Sequence, residues 1–225
     1  PTVQTTLIYV GVRLGHVALL IIRVYNSTVN ARQAFTRESA DTRREALVSA
    51  CARCLARYGA QGTSVRAICL EAEVSPGLLR HYFDGIDSLI AATYRATGAR
   101  VARALQVAVD AEHDPKARLL AFVTASFRTP IADPELLATW LAFWSLARID
   151  PAIRQIHDEL YADNRGDMER LIAACPAAPV DSRLVAVALT ALVDGLWLEL
   201  SLGNAPFSAD EAGALAAKWL DSLLG

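Results

Sequence analysis

Two groups of residues in this 225-residue chain have types and spacings suited to chemistry. Trp140, Phe143 and Trp144 stand three and four apart, which places their rings on one face of a helix. Asp194 and Trp197 stand three apart within a very apolar stretch and share a face of another. Aromatic faces with one carboxylate are the groups that hold a quaternary ammonium, which has no hydrogen to donate and is bound by cation–π attraction and charge. The same residues also suit a helix core, with the aromatics packed and Asp194 hydrogen-bonded where two helices meet. The second group is Arg80-His81-Tyr82 beside Leu78 and Leu79, in the second of two short helical segments joined at Glu73-Val74-Ser75. Two short helices around a tight turn place a helix in a DNA major groove, and Ser75 at its start has amides and a hydroxyl for a phosphate. An ordinary helical hairpin carries the same signature.

Other chemistries lack their residues. Cys51-x-x-Cys54 has the spacing of a redox or zinc half-site, but Cys69 and Cys175 stand apart and His16, His81, His113 and His157 are scattered. The four thiols are expected to be buried side chains in a reducing cytoplasm, with no metal and no cofactor. H-E-x-x-H, a phosphate-cradling Gly loop and an acid-rich metal motif are all missing, so an enzyme is not expected.

The elements that must position these residues are helical throughout. With 53% hydrophobic and 20% charged residues the composition is that of a soluble globular chain with a sizeable core. Apolar runs fall short of about 18 to 20 uninterrupted residues, so no membrane partner is expected. From Asp41 to Tyr58, residues Leu47, Ala50, Cys51, Cys54, Leu55 and Tyr58 share a 3.6-period face, and Gly59 ends the segment. Thr63 is the expected cap of a short helix carrying Val65, Ile68 and Ala72, and Ser75-Pro76 opens a third. A long helix is expected from about Asp87 to Asp110. Asp114-Pro115, Asp133-Pro134 and Asp150-Pro151 each read as an N-cap followed by Pro at the first helical position. Asp181 opens a helix to Leu202, and Ser208 to Glu211 form a capping box for the last. No segment alternates with period two; the fold class is all-α.

Charge divides the chain. Residues 37–103 carry ten Arg against seven acids, whereas 104–225 carry nine basic and seventeen acidic residues, so the halves are expected to do different jobs. Residues 1–36 hold three Arg and no acid, with an apolar stretch at 7–25 broken by Arg13, His16 and Arg23. This segment fits a fragment or translated extension better than a targeting or membrane-associated one, and no role is assigned to it.

Thr63-Ser64-Val65-Arg66-Ala67-Ile68, Ala72-Glu73-Val74-Ser75-Pro76-Gly77-Leu78-Leu79 and His81-Tyr82-Phe83 with Leu89 closely resemble the DNA-binding domain of the TetR family of bacterial regulators. The resemblance covers about 43–95. It implies a helix-turn-helix domain over 37–86 and a helical ligand-binding and dimerisation domain over 87–225. It also implies DNA contacts from Arg43, Thr63, Ser64, Arg66, Ser75, Pro76, Gly77, Leu79, Arg80, His81 and Tyr82. Glu73 stands where the family usually has Gly, which strains the backbone if the family's left-handed turn is kept. Asp84-Gly85-Ile86 stands where a phosphate-binding Lys is common, which weakens backbone binding unless Arg43 and Arg44 compensate.

Trp140-Leu141-Ala142-Phe143-Trp144 and Ala191-Leu192-Val193-Asp194-Gly195-Leu196-Trp197-Leu198 resemble the BetI-type branch, the choline-responsive regulators of the betaine pathway. The branch implies a cytoplasmic repressor with a double-stranded DNA operator and a choline-like effector at Trp140, Phe143, Trp144, Asp194 and Trp197. A drug or acyl compound is the alternative effector. Leu184 to Leu202 is apolar around most of a helix, as suits either an intersubunit four-helix bundle with the last helix, giving a homodimer, or the core of one subunit.

Overall fold

Helix punctuation in the sequence translates directly into elements. The computed structural model describes residues 40–176 and 181–224, so the expectations for 1–36 lie outside the described residues. Nine helices and no strand occur among the described residues. They are α1 (40–62), α2 (Val65–Glu71), α3 (Pro76–Tyr82), α4 (Ile86–Asp110) and α5 (Pro115–Ala125). There follow α6 (Pro134–Ala147), α7 (Pro151–Ala173), α8 (Ser182–Ser201) and α9 (Ala209–Leu224). The side chains of Asp114, Asp133, Asp150 and Asp181 each accept a backbone N–H in the first turn, at 2.9 to 3.1 Å for the closest contact of all but Asp150, where it is 2.8 Å. Each such cap contributes roughly 1 kcal/mol. At α9 the capping box closes both ways, with the Ser208 N–H donating to Glu211 at 2.8 Å and the Glu211 N–H to Ser208 Oγ at 3.2 Å.

Two boundary expectations need correction. Gly59 does adopt a left-handed φ of 65°, yet the helical run carries on to 62. The cap of α2 is Ser64, which accepts from the Ala67 N–H, whereas Thr63 is buried and its hydroxyl donates back to the Gly59 carbonyl at 2.7 Å. Adjacent Ser and Thr both suit a cap, and burial decides which hydroxyl turns inward.

Leu47, Ala50, Cys51, Cys54 and Leu55 of α1 are buried in one cluster with Ile68, Cys69, Leu79, Phe83 and Leu89. Burial pushes the Cys51 thiol up to about 12, so it is an inert packing group, as are buried Cys54 and Cys69; Cys175 is half-buried. Arg53 and Arg57 both bind the Glu71 carboxylate, at 2.6 and 3.3 Å, and tie α1 to the end of α2. The Thr139 hydroxyl of α6 donates to the Ala52 carbonyl of α1 at 3.2 Å.

Around α7, the remaining helices form the second part: α7 packs on α8, α6, α4 and α5, and α9 packs on α5 and α8. α8 is long and apolar enough to cross a membrane by length and composition. Its apolarity has two destinations. Val185, Ala186, Leu189, Val193, Leu196 and Trp197 are buried within the chain, while Leu184, Val187, Leu198 and, just beyond, Leu202 are exposed on the other side.

Candidate functional site

Two surfaces collect the residues singled out in the sequence. The first is α2-turn-α3. Glu73 adopts φ 54°, a left-handed conformation that favours Gly, so the strain anticipated for this position is present. The Val74 N–H closes the turn on the Cys69 carbonyl at 2.9 Å. Ser75 caps α3 by accepting the Leu78 N–H at 3.2 Å, and Pro76 sets the first helical position. Capping uses the Ser75 oxygen as acceptor and leaves its O–H to donate outward.

Seven residues make α3 two turns long, and one residue decides its orientation: Leu79 is fully buried and pins it to the core. Pro76, Gly77, Arg80 and His81 are exposed, Tyr82 is half-buried, and the His81 and Tyr82 rings meet edge to face at 5.0 Å. Ser64 and Arg66 of α2 are exposed, as is Arg43. Leu79 and Thr63 must therefore leave the set expected at DNA. Both side chains are buried, and the Thr63 hydroxyl is already engaged with the Gly59 carbonyl. Asp84 after the Tyr-Phe pair is exposed and anionic.

The second surface is a cavity of about 390 Å³ among α4, α5, α6, α7 and α8. Trp140, Asp194 and Trp197 line it as expected, together with Tyr161, which the sequence reading missed. Trp140 and Trp197 meet edge to face at 5.8 Å. The Tyr161 hydroxyl is the node of this end. It accepts the indole N–H of Trp140 at 3.3 Å and of Trp144 at 2.9 Å, and donates to Asp194 Oδ1 at 3.1 Å. The Trp197 N–H donates to the Ser126 carbonyl at 3.0 Å. Every indole here is thus held by a partner, and ring faces rather than N–H groups remain for a ligand.

Phe143 and Trp144 do not line the cavity. Phe143 is fully buried and stacks on Tyr94 at 4.0 Å, and Trp144, one turn beyond Trp140, acts on the cavity only through Tyr161. A shared helical face gave all three aromatics equal standing, but a helix of this width meets several neighbours. Tyr161 left one usable signal. It sits on the inward stripe of α7 with Ile153, Ile156, Leu160, Met168 and Ile172, and only it combines an aromatic ring with a polar end there.

Electrostatically the cavity is marked by the half-buried carboxylate of Asp194. Burial pushes the Asp194 carboxyl up to about 6, against the Tyr161 hydrogen bond and the Arg165 charge, which both favour the carboxylate. Arg165 lies over the Tyr161 ring at 5.7 Å, and among the described residues no cation is within ion-pair distance of Asp194. Below Tyr161, the Tyr94 hydroxyl and His157 Nδ1 share a hydrogen bond of 2.9 Å; burial lowers the imidazole's proton affinity and keeps it neutral. The arrangement can bind a cation, and its groups include no nucleophile paired with a base. No cluster of His, Cys, Asp or Glu suited to a metal occurs among the described residues.

Comparison with known proteins identifies the family. Residues 47–93 match the family model for bacterial regulatory proteins of the tetR family, and 115–225 match the BetI-type transcriptional repressor C-terminal model. The HTH-type transcriptional regulator BetI of Burkholderia thailandensis is 35% identical over 190 residues, covering 82% of this chain and 94% of the relative. A crystal structure described as a transcriptional regulator of Pseudomonas aeruginosa PAO1 is 40% identical with a TM-score of 0.73, over 81% of this chain and 90% of that one. A regulator from Saccharomonospora viridis, solved in complex with choline, has the same fold at 19% identity and a TM-score of 0.68, over 79% and 95% of the two chains. With its helix-turn-helix, its helical ligand domain and these relatives, the chain belongs to the TetR family of bacterial regulators and is a ligand-responsive, DNA-binding transcriptional repressor rather than an enzyme.

Proposed function

We propose that the effector is a choline-like quaternary ammonium and that the protein is a cytoplasmic regulator of a choline and glycine betaine pathway. One observation carries this: a half-buried carboxylate, Asp194, which makes no ion pair among the described residues, lines the same cavity as Trp140, Trp197 and Tyr161. A desolvated cation–π contact is worth roughly 2 kcal/mol, and the carboxylate adds charge. The choline complex of the Saccharomonospora viridis regulator supports the same ligand class on the same fold. Calorimetry tests it: choline should bind saturably, and Trp197→Ala should weaken it by about 1–2 kcal/mol. Asp194→Asn should weaken it as well. Absence of choline binding at millimolar concentration, with tight binding of an uncharged ligand, removes the cation and leaves the repressor.

On the DNA side, exposed Arg80 and His81 of α3 read the major groove, with Ser64, Arg66, Ser75, Pro76, Gly77 and Tyr82 beside them in sequence, and exposed Arg43 adds a phosphate contact of its own. A palindromic operator requires two such helices, hence a homodimer. The exposed stripe Leu184, Val187, Ala191, Gly195, Leu198 and Leu202 of α8 supports this, because the small residues at its centre let a second helix approach closely. On α9, Leu215 is exposed and Trp219 half-buried. Leu198→Glu should yield a folded monomer by sedimentation.

A further inference from the structure

The cavity is larger and longer than a choline-sized ligand requires. Its 390 Å³ has room for roughly thirteen waters at about 30 Å³ each, of which the head end at Trp140, Tyr161, Asp194 and Trp197 is one part. On α4 the lining runs from Arg95 to Gln106, a rise of about 16 Å. On α7 it continues to Met168, two turns and about 10 Å beyond Tyr161. Leu105, Phe122 and Met168, all buried, give that stretch an apolar side.

We infer that the effector is a quaternary ammonium with a neutral apolar tail, its head at Trp140, Trp197 and Asp194 and its tail along Leu105, Phe122 and Met168. The inference rests on the cation-binding reading of the same cavity and specifies what lies beyond the head. An apolar channel beside a bound trimethylammonium favours methylenes over water, because it offers water few partners. Charge in the lining decides against an anionic tail. Asp163 and Asp167 are among the lining residues, and Arg95, the lining cation, is engaged with Glu159 at 2.8 Å. An acyl chain ending in phosphate or carboxylate would meet those carboxylates. Gln106, exposed on α4, and Asn164, half-buried on α7, suit an ester or hydroxyl instead.

The test is a calorimetric series on the full chain: choline, then trimethylammonium ions with straight tails from propyl to octyl, below their micellar concentrations. Affinity should rise about threefold to fourfold per added methylene until the channel is filled. Ala102→Trp, at an exposed position on the lining, should cut that gain for the longer tails while choline affinity stays within about twofold. Met168→Gln should blunt the same gain, and the melting curve of each variant reports whether it folds. Choline binding with no gain from longer tails overturns the inference and leaves the cation site standing. If no trimethylammonium ion binds at millimolar concentration, the inference and the cation site fall together. A neutral tert-butyl isostere of the octyl ion binding equally well overturns the cationic head.

Discussion

The helix-turn-helix and the cavity proposed for the effector use polar side chains in opposite ways. On α2 and α3 the polar groups are exposed, and the one buried side chain of α3, Leu79, only holds the helix in place. At one end of the cavity the polar groups are largely withdrawn from water and joined in a network: Trp140 to Tyr161, Tyr161 to Asp194, Trp197 to Ser126, with Trp144 joining from outside the lining. A surface that meets a charged polymer can leave its donors to water until the partner arrives. A site that meets a small cation must be built before the ligand comes, since an unpaired buried polar group costs about 1–3 kcal/mol. Function on the first surface is therefore separable residue by residue, whereas in the second it is shared by a network.

The largest effect should separate two adjacent residues of α3. Leu79→Ala should lose about 2–5 kcal/mol of stability in urea unfolding, because it empties the centre of a small core. Arg80→Ala should change stability by no more than about 0.5 kcal/mol yet weaken operator binding. If Arg80 meets a phosphate, the slope of log affinity on log salt should shrink by about 0.9. Equal destabilisation by both, or unchanged binding in Arg80→Ala, breaks the contrast drawn for the DNA surface.

Tyr161→Phe tests the network. It leaves two indole N–H groups and a carboxylate without their partner, and a loss of about 2–3 kcal/mol in unfolding free energy is expected. Because the Tyr161 hydrogen bond favours the carboxylate, the Asp194 titration should also move further above its wild-type position near 6. Carbon-detected NMR of the aspartate side chain reads that shift; an unchanged titration means the hydroxyl is only a filler.

Cation binding should follow the Asp194 charge. A carboxyl that titrates at about 6 is ionised at neutral pH and protonated in acid. A cation then binds only the fraction still ionised, so affinity is level above about pH 7 and falls toward about tenfold per unit well below 6. A profile flat to pH 5 would show that the carboxylate takes no part. DNA binding by the exposed surface offers no matching transition from this group.

Smallest is the turn. Glu73→Gly should stabilise the protein by about 1 kcal/mol, since φ 54° costs an L-residue roughly 1–2 kcal/mol and glycine's extra freedom in the unfolded chain offsets part of the gain. A destabilised variant would mean that the Glu73 side chain supplies a contact worth more than the strain.

Legibility in the sequence tracks the range of the interactions. Asp114, Asp133, Asp150 and Asp181 cap their helices two or three residues away, so pattern alone located those starts within a residue. The turn strain at Glu73 and the exposure of Arg80 and His81 were legible for the same reason, being settled within a turn or two of chain. Leu79 was misplaced on the DNA side because adjacent helix positions look equally exposed until the core is packed.

All-α architecture, the family and the exposure of Arg80 and His81 follow from this sequence by itself, because helix periodicity, caps and turn chemistry act over a few residues. Tertiary structure alone decided which aromatics share a cavity. Tyr161 reaches Trp140 across 21 residues and Asp194 across 33, while Trp197 reaches Ser126 across 71. It also divided α8 into a face buried in its own subunit and a face left exposed. A helix that is apolar nearly all round carries no mark of which side its neighbours take, since burial depends on how distant helices stack against it.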